Sequence, residues 1–112
     1  MMIKWLDDAV YDLQALRQYI AKDKPSAANR VAKRILSAVS LLPEQSGMGR
    51  LGRVPHTREL IIPNMPYIIP YRVKNNSIEI LRVLHVAMQW PEEFCETELT
   101  EKMFPPFIPT LY

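Results

Sequence analysis

The apolar residues of this chain keep one period in its first part and another later, and that change of period limits the fold. Ala9, Leu13, Leu16 and Ile20 recur at spacings of four, three and four, and after a break at KDKPS, Ala28, Val31, Ile35, Ala38 and Leu42 recur at three, four, three and four. Residues so spaced line one side of an α-helix. The spacing predicts helices over about 8–22 and 25–42. Asp7 and Asp8 offer the first an N-cap. Pro25 suits the first turn of the second, and Pro43 stops it. Two helices joined by so short a loop read as an antiparallel hairpin.

After residue 56 the period changes. TRELIIP, YIIPYRV and IEILRVLHV are rich in β-branched and aromatic residues, which suit pleated strands. They predict antiparallel strands at about 57–62, 67–73 and 78–86. Asn75-Asn76 tolerates positive φ and reads as a hairpin turn. Pro63 and Pro66 flank another turn at Asn64-Met65. MIKWL, before the helices, reads as an edge strand. The expected class is α+β: an N-terminal strand, the helical hairpin, then a three-stranded antiparallel sheet. Pro70 falls inside the middle strand, where it removes a ladder donor. The strand must bulge there, or that position must face away from a neighbour.

Between the two halves lies PEQSGMGRLGRVPH, which holds all three glycines of the chain and two arginines, Arg50 and Arg53. It reads as a loop on which packing does not require the arginines, so a binding role is favoured for them. At 112 residues the chain forms one domain with a modest core. Net charge is only +2, but it is unevenly spread. Residues 46–90 carry Arg50, Arg53, Arg58, Arg72, Lys74 and Arg82 against Glu59 and Glu79. Residues 91–112 carry Glu92, Glu93, Glu96, Glu98 and Glu101 against Lys102. A basic middle suggests an anionic or acidic partner, although charge alone favours a plain solvated face. Cys95 is the only cysteine, so no intramolecular disulfide forms and a reducing cytoplasm is expected. Cys95, His56 and His85 have no metal-ligand spacing; no metal or cofactor is expected. The charged N-terminus is no signal peptide, and no apolar run suits a membrane span.

The order of elements, together with Thr57-Arg58-Glu59-Leu60, Tyr67, Tyr71-Arg72-Val73 and Val83-Leu84-His85, resembles the ParE/RelE superfamily of type II toxin–antitoxin toxins. The likeness covers most of residues 3–91, and closer to ParE than to RelE. It implies a small sheet with two helices on one side, in a toxin domain over 1–91 followed by an acidic, then Pro-rich extension over 92–112. It also implies a cytoplasmic bacterial toxin, of the kind tied to plasmid stabilisation, neutralised by a cognate antitoxin. ParE-like members poison DNA gyrase; RelE-like members cut mRNA on the ribosome.

Cleavage by a 2′-hydroxyl needs a base, an acid and cations around the phosphate. The candidates here are His85, Arg58 and Arg82. The strand end after His85 reads Val86, Ala87, Met88, Gln89 and brings no charge, and no tyrosine follows Tyr71 until Tyr112. Alternation sets His85 on a face with Leu81 and Val83, and Arg82 on the other with Ile80 and Leu84. A lone histidine closing an apolar strand is more often structural than catalytic. Tyr67 and Tyr71 have core spacing, and Trp5 and Trp90 read as packing anchors. Arg72 faces Glu79 across the hairpin as a candidate ion pair. Arg58 and Glu59 point opposite ways, Glu59 as a surface partner or a buried one for a basic residue. The candidate binding residues are Arg50, Arg53, Arg58 and Arg72. Many ParE-like chains carry arginines where this one has Ala87 and Met88. The expectation is a gyrase-binding toxin that is not an enzyme. The alternatives are a ribosome-dependent mRNA endonuclease, or an inactive relative that still binds antitoxin.

Overall fold

The computed structural model describes residues 1–86. Ala87, Met88, Trp90, Cys95, Tyr112 and the extension at 92–112 lie outside the described residues. The elements run β1 (Met2–Trp5), α1 (Asp7–Ala21), α2 (Pro25–Val39), β2 (Arg50–Leu51), β3 (Arg58–Ile61), β4 (Tyr67–Lys74), β5 (Ser77–Ile80) and β6 (Leu84–His85). The α+β class and the order of elements are those expected, but the sheet is mixed and six-stranded rather than antiparallel and three-stranded.

The helical hairpin forms where the apolar stripes place it. Asp7 and Asp8 do not cap α1. They stand in its first turn, where carboxylates favour the positive end of the helix dipole. The capping position is Leu6, in extended backbone, and its N–H donates to the Ile80 carbonyl at 3.1 Å. That bond turns the end of β1 into the helix. α2 ends at Val39, short of Leu42. Leu41 and Leu42 continue in tighter turns, bonding the carbonyls of Ala38 and Val39. The apolar stripe therefore outlasts the α-helix, and Leu42 is still buried.

The sheet order is β1-β5-β4-β3-β2. β1 is an edge strand as expected, running parallel to β5 with Met2 opposite Ser77 and Trp5 opposite Ile80. β2, inside the segment read as a loop, is too short for any periodicity to reveal. It pairs Arg50 with Glu59 and Leu51 with Arg58. Both expected turns are present. Asn75 and Asn76 have φ of 53° and 59°, and Asn64 has 63°.

The last expected strand, 78–86, is broken into β5 and β6. Both lie along the same edge of β4, with Ile80 opposite Tyr71 and Leu84 opposite Ile68. The gap faces Pro70. In an antiparallel ladder one residue's N–H and C=O point to the same neighbour. The Pro70 carbonyl accepts from Leu81 N–H at 2.9 Å, so the missing Pro70 donor faces Leu81 too. The ladder cannot close there, and residues 81–83 leave it. Simple alternation through 80–85 therefore fails: Ile80, Leu81, Val83 and Leu84 are all buried.

One face of the sheet carries the core. Leu60, Tyr67, Ile69, Tyr71, Ile78 and Ile80 pack against Leu16 of α1 and Ile35, Val39 and Leu42 around α2. Trp5 packs at the margin of this cluster. Full burial of one such aliphatic side chain is worth about 1.5–3 kcal/mol.

Candidate functional site

Glu59 organises the basic end of the sheet. It lies in β3 with its side chain pointing away from the helical core, and only 2% of that side chain is exposed. Its Oε1 accepts from Arg50 Nε at 3.1 Å and Nη2 at 2.9 Å, and its Oε2 from Arg53 N–H at 2.9 Å and Nε at 3.1 Å. Burial pushes the Glu59 carboxyl up, but the Arg53 N–H and the two guanidinium groups together outweigh it and hold it below the ordinary value. Arg50 and Arg53 are therefore not surplus to packing. They neutralise a buried carboxylate from two sides. The two side chains remain 55% and 48% exposed.

The loop they ride on is fixed from the other side. Gly49 N–H donates to Tyr71 Oη at 2.9 Å, and Tyr71 Oη donates to the Ser46 carbonyl at 2.7 Å. Arg58 Nη1 donates to the Gly49 carbonyl at 2.6 Å. A Cβ at Gly49 would sit 2.7 Å from the Tyr71 ring, so a side chain there must displace the loop or the ring. Between β2 and β3 the chain closes on itself, Gly52 N–H bonding the Thr57 carbonyl at 2.8 Å, with His56 at φ 66°.

Arg50, Arg53 and Arg58 thus meet at one end of β2 and β3. Arg58 and Arg72 both line a hollow of about 520 Å³ with Leu51, His56 and Val73. Arg72 is also held by Glu79 at 2.6 Å, the cross-hairpin ion pair expected from the sequence. Arg58 Nη1 is held by loop carbonyls, those of Gly47 and Gly49. The four candidate binding arginines form one neighbourhood, although each also has a structural partner.

The three nuclease candidates are not brought together. Arg58 pairs with Tyr71 on one edge of β4, and His85 with Tyr67 on the other. The four-residue offset along β4 is about 13 Å. Arg82 reaches the opposite layer: its Nε and Nη2 bond Asp12 of α1 at 2.7 and 3.1 Å. Asp12 also accepts the Val83 N–H at 2.9 Å, the amide released by the break opposite Pro70. Burial raises the Asp12 carboxyl, with Arg82 and Val83 opposing. His85 stands edge-on to Tyr67, ring centroids 5.6 Å apart, and burial lowers its pKa, favouring the neutral ring. Asp12 is a site residue that the sequence signals only through its place on the buried stripe of α1, three residues after Ala9 and four before Leu16.

Comparison with known proteins agrees with this architecture. Residues 3–90 match the family model described as the ParE toxin of the type II toxin–antitoxin system parDE. The chain is 47% identical over 90 residues to Y4kP of Sinorhizobium fredii, a toxin by name, covering 80% of this chain and 93% of that one. It is 35% identical over 85 residues to Toxin RelE2 of Caulobacter vibrioides, covering 76% and 94%. A solved chain of the chromosomal ParDE toxin–antitoxin system from P. aeruginosa superposes with a TM-score of 0.69 at 34% identity, covering 77% of this chain and 96% of that one. The protein belongs to the ParE family within the ParE/RelE superfamily, as the toxin of a type II toxin–antitoxin system, with a cognate antitoxin as its implied partner.

Proposed function

We propose that this toxin acts by binding DNA gyrase through the basic end of its sheet, and that its antitoxin restrains it in the cytoplasm. One observation carries the reading. His85, Arg58 and Arg82 each have a different partner, so among the described residues these three candidates do not converge on one phosphate. RNA cleavage needs that convergence. Binding does not, and the half-exposed Arg50 and Arg53 around Glu59 suit an acidic protein surface.

A second reading is favoured by the names of two relatives, Toxin RelE2 and Toxin RelE3 of Caulobacter vibrioides. It makes the chain a ribosome-dependent mRNA endonuclease using His85. The test is a supercoiling assay with purified bacterial gyrase, titrated with antitoxin-free toxin and scored for inhibition and for trapped DNA breaks. Inhibition is expected, and its reversal by antitoxin. Absence of any effect from folded protein, together with mRNA cleavage in a ribosome assay lost in His85→Ala, overturns the gyrase reading.

A further inference from the structure

Arg58 uses only part of its guanidinium inside the fold. Its Nη1 donates to the carbonyls of Gly47 and Gly49 at 3.4 and 2.6 Å, whereas among the described residues its Nε and Nη2 have no hydrogen-bond partner. Those two nitrogens make the fork that grips a carboxylate side-on. The same fork is filled twice elsewhere in this chain. Arg50 closes Nε and Nη2 on Glu59, and Arg82 closes them on Asp12. Arg58 lines the hollow of about 520 Å³, whose apolar walls are Leu51 and Val73. Register puts Leu51 opposite Arg58 and Arg58 opposite Tyr71, and Val73 follows Tyr71 by two. All three therefore stand on the face that bears the core. They lie past the end of the apolar cluster, however, and Leu51 and Val73 are 78% and 47% exposed.

We propose that this hollow seats a carboxylate side chain of a protein partner, gripped by the Arg58 fork, while an apolar residue beside that carboxylate packs between Leu51 and Val73. The volume falls within the range of about 300–1,000 Å³ common to ligand sites, and the mixture of apolar wall and one aimed cation is typical of them. The cation is also pre-positioned. The Gly49 carbonyl that tethers Arg58 belongs to a loop fixed by Tyr71, so the fork loses little freedom on binding. A planar, singly charged group matches it better than a phosphate does. Arg72, the other guanidinium residue of the hollow, is held by Glu79 at 2.6 Å, and the exposed walls of Leu51 and Val73 offer nothing to a sugar–phosphate chain. The proposal deepens the reading that the basic end of the sheet binds an acidic protein surface, and rests on it for the identity of the partner.

The probe is 3-phenylpropionate, a carboxylate joined to an apolar ring, titrated into the antitoxin-free full chain and followed by amide and arginine Nε–H spectra. Saturable shifts are expected at Arg58 Nε–H and at the amides of Leu51, Gly52 and Val73, with half-saturation in the millimolar range. Binding should weaken about tenfold in Arg58→Lys, which keeps the charge and loses the fork. A similar loss is expected in Leu51→Ser, whose side chain is too exposed for its removal to unfold the domain. Shifts that do not saturate, or equal binding by either variant, overturn the proposal. So does tighter binding of phenyl phosphate at the same residues, which assigns the hollow to a phosphate instead. The supercoiling assay separates the hollow from the wider reading. If the parent inhibits gyrase and Leu51→Ser inhibits it equally well, the hollow is not the seat of the target. If the parent leaves gyrase untouched, the gyrase reading falls, and the titration still decides the hollow.

Discussion

At the scale of single residues, Glu59 is the side chain on which the basic loop depends. Removing its cations strands a buried carboxylate, which costs more than removing the carboxylate itself. Arg50→Ala with Arg53→Ala should therefore lower unfolding free energy by about 3 kcal/mol, and adding Glu59→Gln should recover most of that loss. Urea melts of the double and triple variants decide it. If the triple variant is no more stable than the double, the account of Glu59 is wrong. The pH dependence follows from the same contacts. Because the folded Glu59 carboxyl titrates below its ordinary value of 4.5, its contribution is full above about that pH. It is lost as pH falls through the lower, folded value. Glu59→Gln should flatten the acid limb of a stability–pH curve below 4.5 and leave its shape near neutrality unchanged. The opposed directions of Arg58 and Glu59 could be read from strand alternation. That Arg50 and Arg53 were the partners could not, because they come from a loop whose path alternation does not describe.

At the scale of elements, Pro70 and Asp12 belong to one device. Pro70 breaks the ladder between β5 and β6, and Asp12 gathers the released Val83 amide and the Arg82 guanidinium onto α1. Asp12→Ala leaves a half-buried guanidinium and a buried amide without their acceptor, a loss of about 3–5 kcal/mol. Hydrogen exchange should show it first at Val83, with the amides of β3 keeping their protection. Equal loss of protection throughout the sheet would mean that Asp12 is not a local clamp. The β4–β5 turn offers a change of the opposite sign. Asn76 sits at φ 59°, where glycine carries no Cβ penalty and Asn-Gly is the favoured pair. Asn76→Gly should raise stability by about 0.5 kcal/mol, read as a small rise in Tm; a fall would show that the Asn76 side chain contributes more than its backbone strain costs. Pro70 was visible as an irregularity in the strand pattern. Its consequence was not, because the direction of a missing donor depends on which neighbour lies on that side.

At the scale of the whole molecule, the proposed gyrase reading rests on the separate partners of His85, Arg58 and Arg82. His85 is packed edge-on against Tyr67, and burial lowers its pKa, which favours the neutral ring. His85→Gln should cost about 1 kcal/mol through the lost aromatic contact, while gyrase inhibition by the folded variant stays within about twofold of the parent. A tenfold loss of toxicity without loss of stability would return His85 to the list of reacting groups. The basic end of the sheet makes the complementary prediction. Inhibition should weaken as salt rises, since half-exposed guanidinium groups act through screened charge.

The sequence by itself determined the class, the helical hairpin and both asparagine turns, because each rests on local periodicity or on backbone preferences that a few neighbouring residues carry; the superfamily came from the resemblance of its motifs. Only the tertiary structure decided which edge β1 joins, where the final strand breaks, and which carboxylate each arginine meets. Those outcomes turn on groups brought together from distant parts of the chain, Asp12 to Arg82 and Val83 above all. No spacing along the chain encodes such a contact; it exists only once the sheet and the hairpin are packed face to face.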